Sequence, residues 1–124
     1  MLKQKKAPLA IGSYSQAVKV GNLLFISGQL SIRPETNEFM DGNVEVQTEQ
    51  VLNNIKAILE AGDSSLKDVI KTNIYLQNME NFTLVNKVYA RYFKDSLPAR
   101  ACVEVSKLPK NAKIEIETIA MINL

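Results

Sequence analysis

The sequence predicts an α+β fold in which two helices pack on one face of a single mixed β-sheet. Two observations favour this fold class: several short segments have the apolar pattern of strands, and two longer ones repeat apolar residues at helical spacing. Their order, β-β-α-β-α-β-β, provides two helices for one sheet of about five or six strands. The length of 124 residues is typical of a single domain, so residues 1–124 are expected to form one.

The chain is predicted to begin its sheet with a β-hairpin and to continue into a long helix. Residues 15–20 and 23–30 are strand-like, and Gly21-Asn22 between them suits a tight two-residue turn. A turn-rich loop covers residues 33–41. The apolar stripe of the first helix comprises Val44, Val51, Leu52, Ile55, Ile58 and Leu59, and Gly62 ends it.

The second half of the chain supplies a strand, a second helix and two further strands. Ser65 and Asp68 favour a short helical turn before a strand at residues 69–76, with Ile70, Ile74 and Leu76 predicted to lie on one face. Asn81 is the expected cap of the second helix, which ends before Pro98. Its buried stripe is Phe82, Val85, Val88, Tyr89 and either Tyr92 or Phe93.

The last two strands alternate strictly between apolar and polar residues. In residues 100–105, Ala101, Val103 and Val105 point one way, while Arg100, Cys102 and Glu104 point the other. A long last strand follows over residues 113–122. Two helices cover only one face of a sheet, yet the run Leu23-Leu24-Phe25-Ile26 is apolar on both faces. The sequence therefore favours a closed homo-oligomer in which another copy covers the second face.

Composition excludes several kinds of chemistry. Fifteen basic and thirteen acidic residues give a net charge of +2, which demands neither nucleic acid nor an anionic membrane as a partner. No apolar run is long enough to cross a bilayer, and the expected location is the cytoplasm. Without histidine and with Cys102 alone, the usual zinc sites and the Ser-His-Asp and Cys-His catalytic sets are missing.

Two residues of the penultimate strand are candidates for a binding site. Arg100 follows Pro98 at the start of the strand, where its guanidinium could hold a carboxylate through two hydrogen bonds. A surface arginine, or an ion pair with Glu104, explains the same position. Cys102 lies on the face of Arg100 but has no histidine base, which favours a packed thiol whose backbone lines the site.

The remaining candidates lie in the first hairpin and the last strand. Glu115 and Glu117 are two residues apart on one strand face, so each would raise the proton affinity of the other if they were half-buried. One could then act as both acid and base near neutral pH, although a solvated strand face explains the same pattern. Tyr14 flanks the hairpin, and Gly28 permits close approach of the backbone to a ligand.

Several blocks of the chain resemble the reactive intermediate deaminase family, RidA subgroup, also called the YjgF family. The resemblance covers residues 10–17, 26–29, 54–59, Val85-Asn86 with Tyr89, 98–105, and 108–117. Its most specific parts are the block Pro98-Ala99-Arg100-Ala101-Cys102-Val103-Glu104-Val105 and the closing pair Glu115 and Glu117.

This resemblance implies a homotrimer of chorismate-mutase-like subunits with clefts between them. Members hydrolyse small 2-imino acids, such as 2-iminopropanoate and 2-iminobutanoate, to 2-keto acids and ammonia, and no metal or cofactor is implied. By analogy Arg100 holds the substrate carboxylate and Glu115 positions water, while the substrate-binding cleft also includes Tyr14, Gly28, Asn86 and Cys102. Two alternatives remain open: a non-catalytic metabolite-binding regulatory protein, and a ribonuclease or translation inhibitor.

Overall fold

The structure, a computed structural model, describes residues 15–123. Their helices and strands are β1 Ala17–Val20, β2 Leu23–Gln29, α1 Val44–Ala61, β3 Val69–Leu76, α2 Phe82–Tyr92, β4 Ala99–Glu104 and β5 Ile114–Met121. The strands form a five-stranded sheet in the order β1-β2-β5-β3-β4. Only β3 and β4 are parallel to each other, so the sheet is mixed, and the predicted α+β class is confirmed.

The first hairpin forms at the predicted place. Val20 and Leu23 are directly opposite each other, and Gly21 has a φ of 60°, a conformation that glycine adopts without steric cost. The strands are slightly shorter than the sequence indicates, because β1 begins at Ala17 and β2 ends at Gln29.

The first helix buries the predicted stripe completely. Val44, Val51, Leu52, Ile55, Ile58 and Leu59 all belong to the core. Asn43 caps the helix by accepting a hydrogen bond of 2.9 Å from the backbone N–H of Val46. At the other end, the N–H of Gly62 donates to the carbonyl oxygen of Ile58, so the predicted end is confirmed. The left-handed conformation expected of a glycine cap is adopted by Asp63, with a φ of 62°, and not by Gly62, whose φ is −96°. None of the described helices, all within residues 15–123, is both long and apolar enough to span a membrane.

The inward face of β3 differs from the prediction at one residue. Ile70 is 42% exposed, whereas Val69 and Thr72 are buried. The pairing of β3 with β5 shifts by one residue between Val69 and Lys71. A bulge of this kind reverses the alternation on its N-terminal side, so Val69 rather than Ile70 enters the core. Ile74 and Leu76, beyond the bulge, are buried as predicted.

The side-chain capping of the second helix lies one turn earlier than the predicted cap, Asn81. A short 3₁₀ turn, Met79–Asn81, precedes it, and Asn78 caps this turn by accepting from the N–H of Glu80. Asn81 makes no capping bond with its side chain.

The second helix buries Val85, Val88 and Tyr89, and Phe93 just beyond its end is the buried aromatic rather than Tyr92. The Tyr89 and Phe93 rings pack with their centroids 4.6 Å apart.

The polar residues of β4 point toward the helices. In the parallel pairing with β3, Arg100 is opposite Thr72 and Cys102 is opposite Ile74, and both β3 residues are buried beneath the helices. Arg100, Cys102 and Glu104 therefore lie on the helix side of the sheet, and Ala101 and Val103 lie on the other side. The strand spans Ala99–Glu104, one residue earlier than the predicted 100–105.

The second face of the sheet, called here the open face, is rich in exposed apolar side chains. Val18, Phe25, Val103 and Met121 are each between 39% and 48% exposed. Both helices pack on the opposite face, and no other helix or strand of residues 15–123 covers this one. The predicted one-sided arrangement of the helices is thus confirmed, and it leaves a large apolar surface in contact with water in a single subunit.

Candidate active site

Arg100 is held against the second helix by its charge and its planar shape. Its Cζ atom lies 4.9 Å from the centroid of the Tyr89 ring and 5.4 Å from that of Phe82. Its Nη1 donates a hydrogen bond of 2.6 Å to Oδ1 of Asn86. Glu104, the ion-pair partner considered from the sequence, instead accepts from the backbone N–H of Met79. The contacts leave further guanidinium donors to bind an anion.

A cavity of about 560 Å³ adjoins the Arg100 side chain. Its walls are formed by Asn86, Tyr89, Ala90, Phe93, Lys94, Leu97, Pro98 and Arg100. Most of these residues present apolar surface, and the polar groups are concentrated at Arg100, Asn86 and Lys94. A cationic end with an apolar wall suits a small organic acid whose carboxylate meets the arginine.

Cys102 is a packed thiol rather than an activated one. Its side chain packs against the core, and burial raises the pKa of the thiol more strongly than the charge of Arg100 lowers it. Since a cysteine nucleophile needs its thiolate form, this environment is unsuited to covalent catalysis. The geometry supports the interpretation of Cys102 as a packing residue beside the site.

Glu115 lies on the open face against the backbone of β2. A Cβ atom placed on Gly28 would stand 2.7 Å from Cδ of Glu115 and would overlap its Oε2. The pairing of β2 with β5 is irregular between Ile26 and Gln29, which brings Gly28 under this carboxyl group. The close approach that Gly28 permits is therefore filled, in a single subunit, by the side chain of Glu115.

The electrostatics of Glu115 favour retention of a proton. Burial raises the pKa of its carboxyl group, and the charge of Glu117 raises it further. Glu117 itself accepts a hydrogen bond of 2.6 Å from the Tyr75 hydroxyl and one of 2.8 Å from Nδ2 of Asn73. The bond to Glu117 raises the pKa of Tyr75 to about 12.

The sequence reasoning missed Tyr75 and Asn73. Both residues lie in the predicted strand at 69–76 and are two positions apart, so the alternation of a strand already places their side chains on the same face. The strand order was not known from the sequence, so the proximity of this face to Glu115 and Glu117 was not predicted. In the structure Asn73 is opposite Glu117 and Tyr75 is opposite Glu115.

The two candidate catalytic residues lie on opposite faces of one sheet. Arg100 shares the helix side with Thr72, whereas Glu115 shares the open face with Tyr75, and both Thr72 and Tyr75 belong to β3. The sheet therefore separates the guanidinium from the carboxyl group within one subunit. One half-site, defined by Arg100 and Asn86, is on the helix side; the other, defined by Glu115 and Gly28, is on the open face.

Tyr14, the remaining predicted site residue, lies outside the described residues. Within residues 15–123, no group of three or more His, Cys, Asp or Glu side chains is arranged to hold a metal ion.

Comparison with known proteins shows the family. The family model described as Endoribonuclease L-PSP matches residues 4–122. The chain belongs to this family, which also contains the RutC, YjgF and RidA proteins.

Three relatives illustrate the range of names within the family. The chain is 58% identical to a RutC family protein of Pyrococcus horikoshii, over 94% of this chain and 92% of that protein. It is 43% identical to the 2-iminobutanoate/2-iminopropanoate deaminase of Dermatophagoides farinae, over 94% of this chain and 91% of that protein. The crystal structure of RidA from an Antarctic Psychrobacter matches with a TM-score of 0.93 at 49% identity and covers 98% of both chains.

Replacing Gly28 tests the contact between the two strands directly. In Gly28→Ala the new Cβ would occupy the space of the Glu115 carboxyl group, so we expect the Glu115 side chain to rotate away from β2 in a crystal structure of the variant. Gly42→Ala is the matched control, because its Cβ would make only an ordinary contact of 3.6 Å with Val46. An unmoved Glu115 in Gly28→Ala would contradict the geometry described here.

Proposed function

We propose that this protein is a hydrolytic deaminase of reactive 2-imino acids, including 2-iminopropanoate and 2-iminobutanoate, and produces 2-keto acids and ammonia. The observation that carries the proposal is the pair of complementary half-sites, a carboxylate receptor at Arg100 and a half-buried proton-holding carboxyl at Glu115. The name of the mite relative, 2-iminobutanoate/2-iminopropanoate deaminase, supports the same reaction.

The proposed reaction adds water to a C=N bond and then releases ammonia. Arg100 binds the substrate carboxylate, with Asn86 orienting the guanidinium. Glu115 starts with its proton and donates it to the imine nitrogen. The resulting carboxylate accepts a proton from water as the water oxygen bonds to the imine carbon. Glu115 then returns this proton to the nitrogen and accepts the proton of the new hydroxyl group as the C–N bond breaks, which leaves the keto acid, ammonia and the protonated carboxyl group. A carboxyl group with a raised pKa suits these transfers, because it can give and take a proton near neutral pH.

The site would be assembled between subunits of a homotrimer. Arg100 and Glu115 cannot approach one another through the sheet of one subunit, but β4 is an edge strand and its outer side is free to meet another copy. If the β4 edge of one subunit lies against the open face of the next, Arg100 of one copy approaches Glu115 of its neighbour. The same contact would cover Val103, Phe25 and other apolar side chains of the open face.

Two other functions fit the chain less well. Regulation through metabolite binding would use the carboxylate receptor at Arg100, but it would not explain the half-buried Glu115. RNA cleavage is suggested by the description of the family model. The chain has no histidine to serve as acid and base, and its net charge of +2 provides little attraction for phosphates. Imine hydrolysis uses both half-sites and is therefore preferred.

The assembly can be measured by light scattering. We expect a particle with three times the chain mass of 13.8 kDa at micromolar concentration, because a trimer buries the apolar open face. A monodisperse monomer under these conditions would contradict the shared site.

Variants of Arg100 test the carboxylate receptor. Arg100→Ala should abolish imine hydrolysis, since it removes a charged two-pronged contact worth about 2–4 kcal/mol. Arg100→Lys should restore little activity, because an ammonium group lacks the planar fork. Activity is measured as keto acid formation when the protein is added to a serine or threonine dehydratase reaction. Arg91→Ala is the control, since Arg91 is exposed and pairs only with Glu49. Wild-type rates in Arg100→Lys would show that the fork has no role.

Variants of Glu115 and Cys102 separate proton transfer from thiol catalysis. Glu115→Gln keeps the shape of the side chain and removes its proton acceptance, so turnover in the same assay should fall by about a hundredfold or more. Cys102→Ser should keep most of the activity, because the thiol is packed and unactivated. An inactive serine variant beside an active glutamine variant would indicate covalent thiol chemistry instead.

A further inference from the structure

We propose that Glu117 is a positioning residue that keeps the exchangeable proton of the carboxyl pair on Glu115, through the hydrogen bonds that Tyr75 and Asn73 donate to it. The inference rests on the proposed function, in which Glu115 is the group that transfers protons. Glu117 itself touches no substrate in this account and acts only through its neighbour.

The hydrogen bonds of the pair are distributed unequally. Oε1 of Glu117 accepts from both Tyr75 and Asn73, at 2.6 Å and 2.8 Å. Tyr75 stands opposite Glu115 in the pairing of β3 with β5, yet its hydroxyl reaches across to Glu117. Among residues 15–123, no side-chain hydrogen bond to Glu115 is formed. Both hydrogen-bond donors on this part of β3 therefore bind Glu117, and neither binds Glu115.

The charged groups around Glu115 and Glu117 do not offset the unequal hydrogen bonding of the two carboxyl groups. From β3, Lys71 lines a cavity of about 370 Å³ together with Glu117, which places a cation on that side of the pair. Just before β5, Lys113 donates to the carbonyl oxygen of Gly42 at 2.7 Å and pairs with Asp41 at 3.6 Å, away from Glu115. The neighbouring residues of β2 and β4 on this face, Ser27, Gly28, Ala101 and Val103, are uncharged.

Two carboxyl groups close together share protons according to their surroundings. Donated hydrogen bonds stabilise the charged form of a carboxyl group, and Glu117 accepts two of them. Glu115 has neither of these donors, and its pKa is raised first by burial and then by the charge of Glu117. The arrangement selects which of two otherwise similar side chains carries the proton.

The test follows the ionisation of Glu115 directly in the folded full-length protein. With ¹³C-labelled glutamate, the carboxyl signal that disappears in Glu115→Gln is assigned to Glu115 and titrated by NMR. Glu117→Gln keeps the acceptor oxygen for Tyr75 and Asn73 but removes the charge, so the Glu115 midpoint should move to lower pH. Tyr75→Phe removes one donor to Glu117 and should move the Glu115 midpoint in the same direction by a smaller amount, since the charge beside Glu115 is then less well stabilised.

Matched control variants test whether the loss of any carboxyl group or tyrosine hydroxyl would move the Glu115 midpoint. Glu49→Gln removes an exposed carboxyl group and Tyr92→Phe removes a tyrosine hydroxyl, both on the helix side of the sheet, and neither should move the midpoint. An unchanged Glu115 midpoint in both Glu117→Gln and Tyr75→Phe would overturn the proposal. If one variant fails to fold, the other decides.

The pH dependence of imine hydrolysis separates this proposal from the function on which it rests. We expect kcat in Glu117→Gln to change its pH dependence in step with the NMR midpoint of Glu115, a change that a purely structural role would not produce. If the NMR midpoint moves while the pH profile of hydrolysis stays that of the wild type, Glu115 is not the proton-transferring group. That result would contradict the proposed function, but the conclusion that Glu117 controls the ionisation of Glu115 would stand.

Discussion

The alternation of side chains across the β-sheet is the constraint on which the candidate site depends. Residues of β4 and β5 are held in register with β3, and this register sends Arg100 toward the helices and Glu115 toward the open face. No rotation of these side chains brings them through the sheet. The proposed reaction, which uses both groups, would therefore have to take each from a different subunit.

Stability and activity would be coupled in such an assembly. The open face exposes apolar side chains that a single subunit leaves in water, and their burial would favour association. The same face carries Glu115, Glu117 and Tyr75, whose carboxyl and hydroxyl groups would become less hydrated if a neighbour covered them. Burial on assembly would raise the proton affinity of Glu115 further than it is in one subunit, because desolvation disfavours the charged form.

Patterns with a clear period were predicted well from the sequence. The stripe from Val44 to Leu59 and the turn at Gly21 depend on local spacing and local backbone preference, and both are confirmed. Ile70 does not share the face of Ile74 and Leu76 as predicted, because a bulge set by the partner strand changes the alternation. The second helix does begin after Asn81, but the predicted capping bond is missing, since the side chain of Asn78 caps a preceding 3₁₀ turn instead. The bulge depends on a partner strand that is distant in the sequence. The capping residue depends on which of two nearby asparagines the chain uses.

The sequence proposes residues for the site, but it does not specify how they are arranged. The spacing of Glu115 and Glu117 correctly placed both on one face. Gly28 was expected to let the backbone approach a ligand, and in the structure the side chain of Glu115 fills that space. The contacts of Arg100 with Asn86 and of Tyr75 with Glu117 join residues 14 and 42 positions apart. Contacts of this range follow from strand order and helix packing, which no local pattern in the chain specifies.

Mixing two inactive variants measures the central claim most directly. Arg100→Ala and Glu115→Gln are unfolded and refolded together in equal amounts, and imine hydrolysis is compared with that of each variant refolded alone. If each site takes Arg100 from one subunit and Glu115 from its neighbour, about a quarter of the sites in the mixture hold both intact residues, and activity returns to about that fraction of wild type. If both residues of a site came from the same chain, no mixed site would be intact. A mixture as inactive as its components, with mixed trimers shown to have formed, would contradict a site shared between subunits.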